Sequence, residues 1–341
     1  FIRARATTWV REGYGMSDVL TPRLLKPLTQ RAQAKMSLRG ELTVLASSVF
    51  VVGSFFWFPF CVYYTYKKLA TTRARKLFLL AVLLYLTFAP VREWPGIRHN
   101  YLWTQWVKYF SPQVIFEAPL PQTDKPIMFA MSPHGIYPFG QAIALVGDLS
   151  QKFRNMRPIV ADAALRFPVF RQLLGWVGAV GASKKSIATA LQQKQNLCIV
   201  PGGIAEMYVS NSKRATVLLE SRKGFIKQAL EHNAHLVPVY IFGNNKLLKL
   251  VPGMKYLQWL SRQLQMSLVL FFGRFGLPIP FRRPLLYAVG APVPLPHIPT
   301  GTQPTQVQVD TAHRAFVTAM RGLAARYASS YSTRTVPLDV R

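Results

Sequence analysis

The chain has 341 residues, half of them hydrophobic, with a mean hydropathy of +0.16, enough for one large domain plus an appendage. Lys and Arg number 42 against 13 Asp and Glu, a formal charge of +29 that implies an acidic partner: nucleic acid, an anionic membrane surface or a phosphate-rich cofactor. The high apolar fraction argues against nucleic acid, as does the lack of zinc-finger spacing, an RNP motif or a basic repeat, and the two cysteines, Cys61 and Cys198, make neither a disulfide framework nor a metal site and suit a reducing compartment.

In chain order, residues 1–40 form a basic arm, Arg3 to Arg39, opposed only by Glu12 and Asp18. It reads as an arm on a membrane surface, or as the remnant of an organelle-targeting region. Residues 41–90 read as a membrane anchor. The stretch 42–66 is 25 residues without a charge, and a span needs about 20. Pro59 is expected to kink it near its end. The second apolar run, 77–89, has 13 residues and suits a re-entrant or hairpin helix. Lys67, Lys68, Arg73, Arg75 and Lys76 lie between the two runs, so both flanks of the first are basic and the positive-inside rule gives no orientation.

Residues 91–126 carry Trp94, Tyr101, Trp103, Trp106 and Tyr109 and then a Pro-rich connector. Aromatics with polar tips suit the headgroup level, so this reads as an interfacial elbow. From 127 to 330 strands and helices alternate. Strands are predicted at 127–131, 158–162, 197–200, 235–242 and 285–289, with helices at 137–153, 168–175, 186–194 and 222–231. That pattern predicts an α/β fold, a sheet with helices on both faces and active-site turns beyond the carboxyl ends of its strands. An amphipathic helix at 305–327 closes the domain, and 331–341 is a tail.

Two turns carry the chemistry. Ser132-Pro133-His134-Gly135 follows the strand at 127–131 and sets a lone histidine at a tight corner, where it can serve as general base. Pro201-Gly202-Gly203 follows the strand at 197–200 and offers bare backbone, with Glu206 just beyond. They read as two halves of one site. Of the six histidines only His134 has such a turn signature.

The order of these turns, with Arg222-Lys223-Gly224-Phe225, Leu236-Val237-Pro238-Val239, Phe242-Gly243, Phe272-Gly273-Arg274 and Val289-Gly290-x-Pro292, resembles the type 2 diacylglycerol acyltransferase family, which includes monoacylglycerol and wax-alcohol acyltransferases. The resemblance runs from about residue 109 to 327. Three departures stand out: Ser132 replaces the first His of a His-Pro-His-Gly turn, Asn244 replaces a Glu, and one residue is inserted at Tyr109-Phe110-Ser111-Pro112. The resemblance implies a glycerolipid-acyltransferase-like mixed sheet flanked by helices with an N-terminal transmembrane hairpin, in the endoplasmic reticulum or another organelle membrane. It implies acyl-CoA as co-substrate, no tightly bound cofactor, diacylglycerol as acceptor, and membrane lipids as partners. Monoacylglycerol, a fatty alcohol or a lysophospholipid would fit the same motifs. A homo-oligomer or membrane complex is compatible, as is an inactive subunit that kept the fold.

Acyl transfer to an alcohol needs a base, an oxyanion stabiliser and a coenzyme site. His134 is the expected base, with Pro133 and Gly135 shaping its turn. A carboxylate that fixes the imidazole tautomer is expected. Related glycerolipid acyltransferases place an Asp five residues after the His, but Phe139 stands there; the resemblance implies Glu206, which belongs to the family motif, with Asp162 as the alternative. Pro201, Gly202 and Gly203 form either an oxyanion hole or a wall of the acyl channel. Lys213, Arg214, Arg222 and Lys223, next to Gly224, are the first candidates for coenzyme A phosphates, the other reading being a solvated face; Arg274, Arg282 and Arg283 are a second set. No G-x-S-x-G elbow or metal constellation is present, so direct attack on the thioester is expected.

Overall fold

The computed structural model describes residues 27–31, 33–209, 215–253, 255–264, 269–299, 301–333 and 338–341. In chain order its strands are β1 (Gln113–Phe116), β2 (Ile127–Ser132), β3 (Arg157–Val160), β4 (Val180–Gly181), β5 (Leu197–Ile199), β6 (Ala215–Val217), β7 (His235–Phe242), β8 (Lys249–Leu250), β9 (Phe271–Phe272), β10 (Leu286–Val289) and β11 (Leu338–Val340). Seven of them form one sheet in the order β1-β10-β7-β2-β5-β3-β4. Every neighbouring pair is parallel except β10 with β7, so the sheet is mixed, as expected. β6 pairs with β11 and β8 with β9 in two small sheets.

β2 explains why the interior forms as it does. It is buried throughout, and its side chains alternate between two cores. Met128 and Ala130 join a cluster with Leu236, Ala288, Phe225 and Phe316. Ile127, Phe129 and Met131 join the opposite one with Val237, Tyr287, Phe110 and Phe139. The long helix Gln306–Tyr331 covers the first face, and Tyr101–Phe110 and Phe139–Ala144 cover the second. All five predicted strands are present. The predicted helix at 137–153 is two, Phe139–Ala144 and Gly147–Lys152, because the backbone turns at Gly147 with φ +57°. β1 lies inside the expected Pro-rich connector, and the aromatic elbow divides, with Trp94 and Tyr101 exposed and Trp103 half-buried. Trp106 and Tyr109 are buried, with Trp106 Nε1 donating to Ser47 Oγ (3.0 Å) and Tyr109 OH to the Pro280 carbonyl (2.6 Å).

The expected anchor is not one helix. Leu38–Val51 and Ser54–Leu69 meet at a bend of 56°, and among the described residues no single helix is long and apolar enough to cross a membrane. The break falls at Val52-Gly53, where the Gly53 N–H reaches back to the Ser48 carbonyl (3.2 Å). A Cβ on Gly53 would sit 2.2 Å from the Val49 carbonyl oxygen, so the bend needs glycine. Pro59, expected to kink the span, lies inside the helix Ser54–Tyr64. Gly40, Val44, Ser48 and Val52, four residues apart, face the domain. Ser48 Oγ donates to the Pro278 carbonyl (2.8 Å), and Glu41 pairs with Arg274 (2.9 Å). The other face exposes Leu42, Phe50, Phe60 and Tyr64, and the helix Arg73–Phe88 buries none of its residues.

Candidate active site

His134 lies two residues beyond the end of β2, in a turn whose Ser132–Pro133 bond is cis. Its ring Nδ1 lies 2.9 Å from the Gly135 carbonyl oxygen. A carbonyl can only accept, so Nδ1 carries the proton and Nε2 presents its lone pair. Burial lowers the His134 pKa, and the Gly135 contact opposes that more weakly. The tautomer is therefore held by backbone. Gly135 is required for it: its φ is +70°, and a Cβ there would approach the Asn244 carbonyl oxygen to 2.9 Å.

Glu206 does come to the histidine turn, but not to the imidazole. Its Oε2 accepts the backbone N–H of His134 (2.6 Å), and its Oε1 accepts that of Leu218 (3.1 Å). The expected carboxylate–imidazole pair is thus replaced by a carboxylate that fixes the turn. Glu206 is fully buried, and burial pushes its pKa up to about 7 against the lowering effect of the His134 and Leu218 N–H groups and of Arg222. Asp162 is not an alternative partner for the ring. It is exposed beside Gly181 of β4, beyond β3, and β5 separates β3 from β2. Two strand spacings put about 10 Å between them.

The glycine turn serves Glu206. Pro201 and Gly202 lead into the helix Gly203–Val209, whose first turn carries the glutamate. A Cβ on Gly202 would fall 2.6 Å from the Glu206 carboxyl carbon, so this glycine lets the carboxylate lie against the backbone. Gly203 has φ +55°, and its N–H is taken by the Val200 carbonyl (3.1 Å), which removes it as an oxyanion donor.

The basic candidates divide. Lys213 and Arg214 lie outside the described residues. Arg222 is exposed and near enough to Glu206 to lower its pKa. Lys223 pairs with Asp310 of the long C-terminal helix (2.8 Å). Neither lies within a helix, because that element starts later, at Gly224–Glu231, and Gly224 has no atoms close enough to require glycine. In the second set, Arg274 holds Glu41 and Tyr109 OH, and Arg282 donates to the Ala34 carbonyl. Arg274 ties the helix Leu38–Val51 to the domain, and Arg282 ties the segment just before that helix. Arg283 is exposed.

Asn244, noted in the sequence only as a departure, clamps the turn. Its Nδ2 donates to the carbonyls of Pro133 (2.9 Å) and His134 (2.8 Å) and to Gln141 Oε1 (3.2 Å), while its Oδ1 accepts the Gly140 N–H (2.9 Å). Gln141 Nε2 adds a second donor to the Pro133 carbonyl (3.1 Å). Asn244→Asp would set a carboxylate against three acceptors. Each lost buried bond costs about 1–3 kcal/mol, so we expect a lower melting temperature and a loss of turnover greater than Asn244→Gln causes. Equal stability and turnover in Asn244→Asp and wild type would refute the clamp. Ser132, where a histidine is usual in the resembling family, has a buried hydroxyl without a hydrogen-bond partner.

The diacylglycerol acyltransferase family model matches residues 70–341, which contain both turns. The chain belongs to that family. Diacylglycerol O-acyltransferase 2 of Bos taurus is 31% identical over 245 residues, 66% of this chain and 66% of that protein. The Homo sapiens protein of the same name is also 31% identical, over 66% of this chain and 62% of its own length. The chain thus spans just under two thirds of these two relatives. 2-Acylglycerol O-acyltransferase 1 of Bos taurus is 31% identical over 259 residues, 70% of this chain and 75% of the relative. Among solved structures, the 1-acyl-sn-glycerophosphate (LPA) acyltransferase PlsC of Thermotoga maritima superposes with a TM-score of 0.39 at 14% identity, covering 84% of this chain and 97% of that one. At that score the likeness decides nothing, and the fold rests on the strand order above.

Proposed function

We propose that the chain is an acyl-CoA-dependent O-acyltransferase of acylglycerols, with diacylglycerol as acceptor and triacylglycerol as product. The observation that carries the reading is the His134 ring, held by the Gly135 carbonyl so that Nε2 is the basic atom, and kept neutral by burial. Nε2 takes the proton of the acceptor hydroxyl as its oxygen bonds to the thioester carbon. The tetrahedral intermediate then breaks its C–S bond, and the imidazolium returns the proton to the departing thiolate. Family membership supports the substrate class, and the relatives' names include both diacylglycerol and 2-acylglycerol acceptors. The test is purified chain with labelled acyl-CoA and either acceptor, products resolved by thin-layer chromatography. Labelled triacylglycerol is expected from wild type. Product from monoacylglycerol alone would change the acceptor, and no product from either would overturn the reading.

Arg222 is the residue we assign to the coenzyme phosphates, since Lys223 is already paired. Arg222→Gln is expected to raise the KM for acyl-CoA about tenfold, one charge-assisted contact being worth about 1.5–3 kcal/mol, and to spare the acceptor KM. An unchanged acyl-CoA KM would leave Arg222 as solvated surface. We also assign the bent pair Leu38–Val51 and Ser54–Leu69, with Arg73–Phe88, to a membrane, where their exposed apolar faces would be covered by lipid.

Glu206 gives a pH signature. As pH falls through about 7 its carboxylate gains a proton, and one oxygen no longer serves as a full acceptor for the N–H groups of His134 and Leu218. Turnover should therefore fall on the acid side with a midpoint near 7. Glu206→Gln should lose that limb and keep the lower one from His134. Stability moves the other way. The folded pKa lies above the ordinary 4.5, so the folded state binds the proton more tightly, and stability declines as pH rises from 4.5 to about 7. A pH–rate profile identical in wild type and Glu206→Gln would refute the assignment.

A further inference from the structure

Between β8 and β9 runs an excursion whose described residues are 251–253, 255–264 and 269–270. The excursion is closed at its base by the pairs Lys249 with Phe272 and Leu250 with Phe271, and by the Val251 N–H to the Leu270 carbonyl (2.9 Å). It carries the helix Lys255–Leu264. Ser261 on this helix is buried, whereas Tyr256 and Trp259 point outward, 69% and 56% exposed, with their rings stacked at 5.9 Å. Two large aromatics turned to solvent from a helix with a buried face are unusual on a water-facing surface. Tyr and Trp prefer the headgroup level of a bilayer, where an apolar ring and a polar tip are both accommodated.

Two further observations say what covers them. The first is position. Phe271, at the base of the excursion, meets Phe56 of the apolar helix pair with ring centroids 5.6 Å apart. Beside it, a groove of about 710 Å³ joins Leu45, Phe50 and Trp57 of that pair to Phe275 and Ile279. Phe275 and Leu277 are exposed at its edge. The excursion therefore grows from the same apolar surface as the proposed anchor. The second is charge. Between Glu231 and Asp310 the sequence contains no Asp or Glu, yet it holds Lys246, Lys249, Lys255, Arg262, Arg274, Arg282 and Arg283. Arg274 is matched by Glu41, and the rest of the stretch remains one-signed against any acid of its own. Lys249, at the base of the excursion, is exposed, and a one-signed sequence of this kind complements anionic headgroups.

We propose that the excursion is a second membrane-contact element, with Tyr256 and Trp259 seated among the headgroups of an anionic bilayer. This rests on the reading that residues 38–88 lie in a membrane. The helix Lys255–Leu264 packs on its inner side against Gly203–Val209, the helix that carries Glu206. Lipid contact at Tyr256 and Trp259 thus braces the element that holds the His134 turn.

The test uses the full chain in nanodiscs of phosphatidylcholine alone and of phosphatidylcholine with phosphatidylserine, read by hydrogen exchange. Amides of 255–264 are expected to exchange about fivefold or more slowly with phosphatidylserine present, since each cation near an anionic surface adds attraction. Tyr256→Ser with Trp259→Ser should abolish that difference while 235–242 keeps its protection. If the double variant loses protection at 235–242, Trp259→Ser alone is read in the same way. Equal exchange of 255–264 in both lipids, with 38–88 protected, overturns this proposal and leaves the anchor standing. Protection that grows with protein concentration and ignores lipid charge would assign the face to a second copy, and also overturns it. Unprotected 38–88 in both discs would instead sink the anchor reading on which it rests.

Discussion

His134→Ala is expected to lower turnover by at least about 10²-fold, the usual contribution of a positioned general base, while the protein keeps its melting temperature. The second half of that expectation comes from the way the turn is held. The Glu206 carboxylate grips the His134 backbone N–H, and Asn244 Nδ2 grips the carbonyls of Pro133 and His134. Among the described residues the ring itself makes one hydrogen bond, from Nδ1 to the Gly135 carbonyl. Alanine removes that contact and leaves the clamp. His134→Gln supplies a control, because an amide can hydrogen-bond but cannot take the proton, so it should be as inactive as alanine. Turnover is measured with labelled acyl-CoA on purified protein, and folding by thermal unfolding in the same detergent. A variant that keeps more than about a tenth of the wild-type rate would exclude base catalysis at this position. A variant that loses its fold would instead show that the ring supports the turn.

The parts of this fold that sequence could reveal are those carried by side-chain pattern. β2, β5 and β7 sit inside the sheet, and their uninterrupted apolar runs name them. β1 and β4 lie at its edges, and β6, β8, β9 and β11 pair outside it. These strands have two to four residues each, too few to show a period against flanking Pro, Gly and charge. The site follows the same division. Both turns were legible because Pro and Gly announce them, and both stand beyond neighbouring strands, β2 and β5. Which atom Glu206 holds was not legible. The His134 N–H and the His134 ring are the same distance away in sequence, and only the direction of the turn separates them. Lys223 looked free for the same reason, since Asp310 lies 87 residues further on.

The excess of positive charge also misleads when every cation is counted toward a partner, and Arg98 shows how. It is buried, and its guanidinium donates to three carbonyls: Leu145 (3.1 Å) and Met156 (3.2 Å) from Nη1, and Val177 (2.8 Å) from Nη2. Leu145 and Val177 end the helices Phe139–Ala144 and Pro168–Trp176, so the side chain satisfies helix-end acceptors that would otherwise be orphaned. Burial lowers the Arg98 pKa, with Glu93 opposing the shift and Arg157 adding to it. The fork geometry suits Arg and not Lys. Arg98→Met keeps bulk and removes every donor. An unsatisfied buried acceptor costs about 1–3 kcal/mol, and the loss is reduced by whatever it cost to desolvate the charge. The net expectation is about 3 kcal/mol, a fall in melting temperature of about 5 °C or more. Arg98→Lys should fall between, since one ammonium cannot span three separated carbonyls. None of the three belongs to the His134 turn, so turnover per folded molecule, measured well below the transition, should match wild type. An unchanged melting temperature in Arg98→Met would mean that water replaces the guanidinium at all three carbonyls, and that the buried charge holds nothing together.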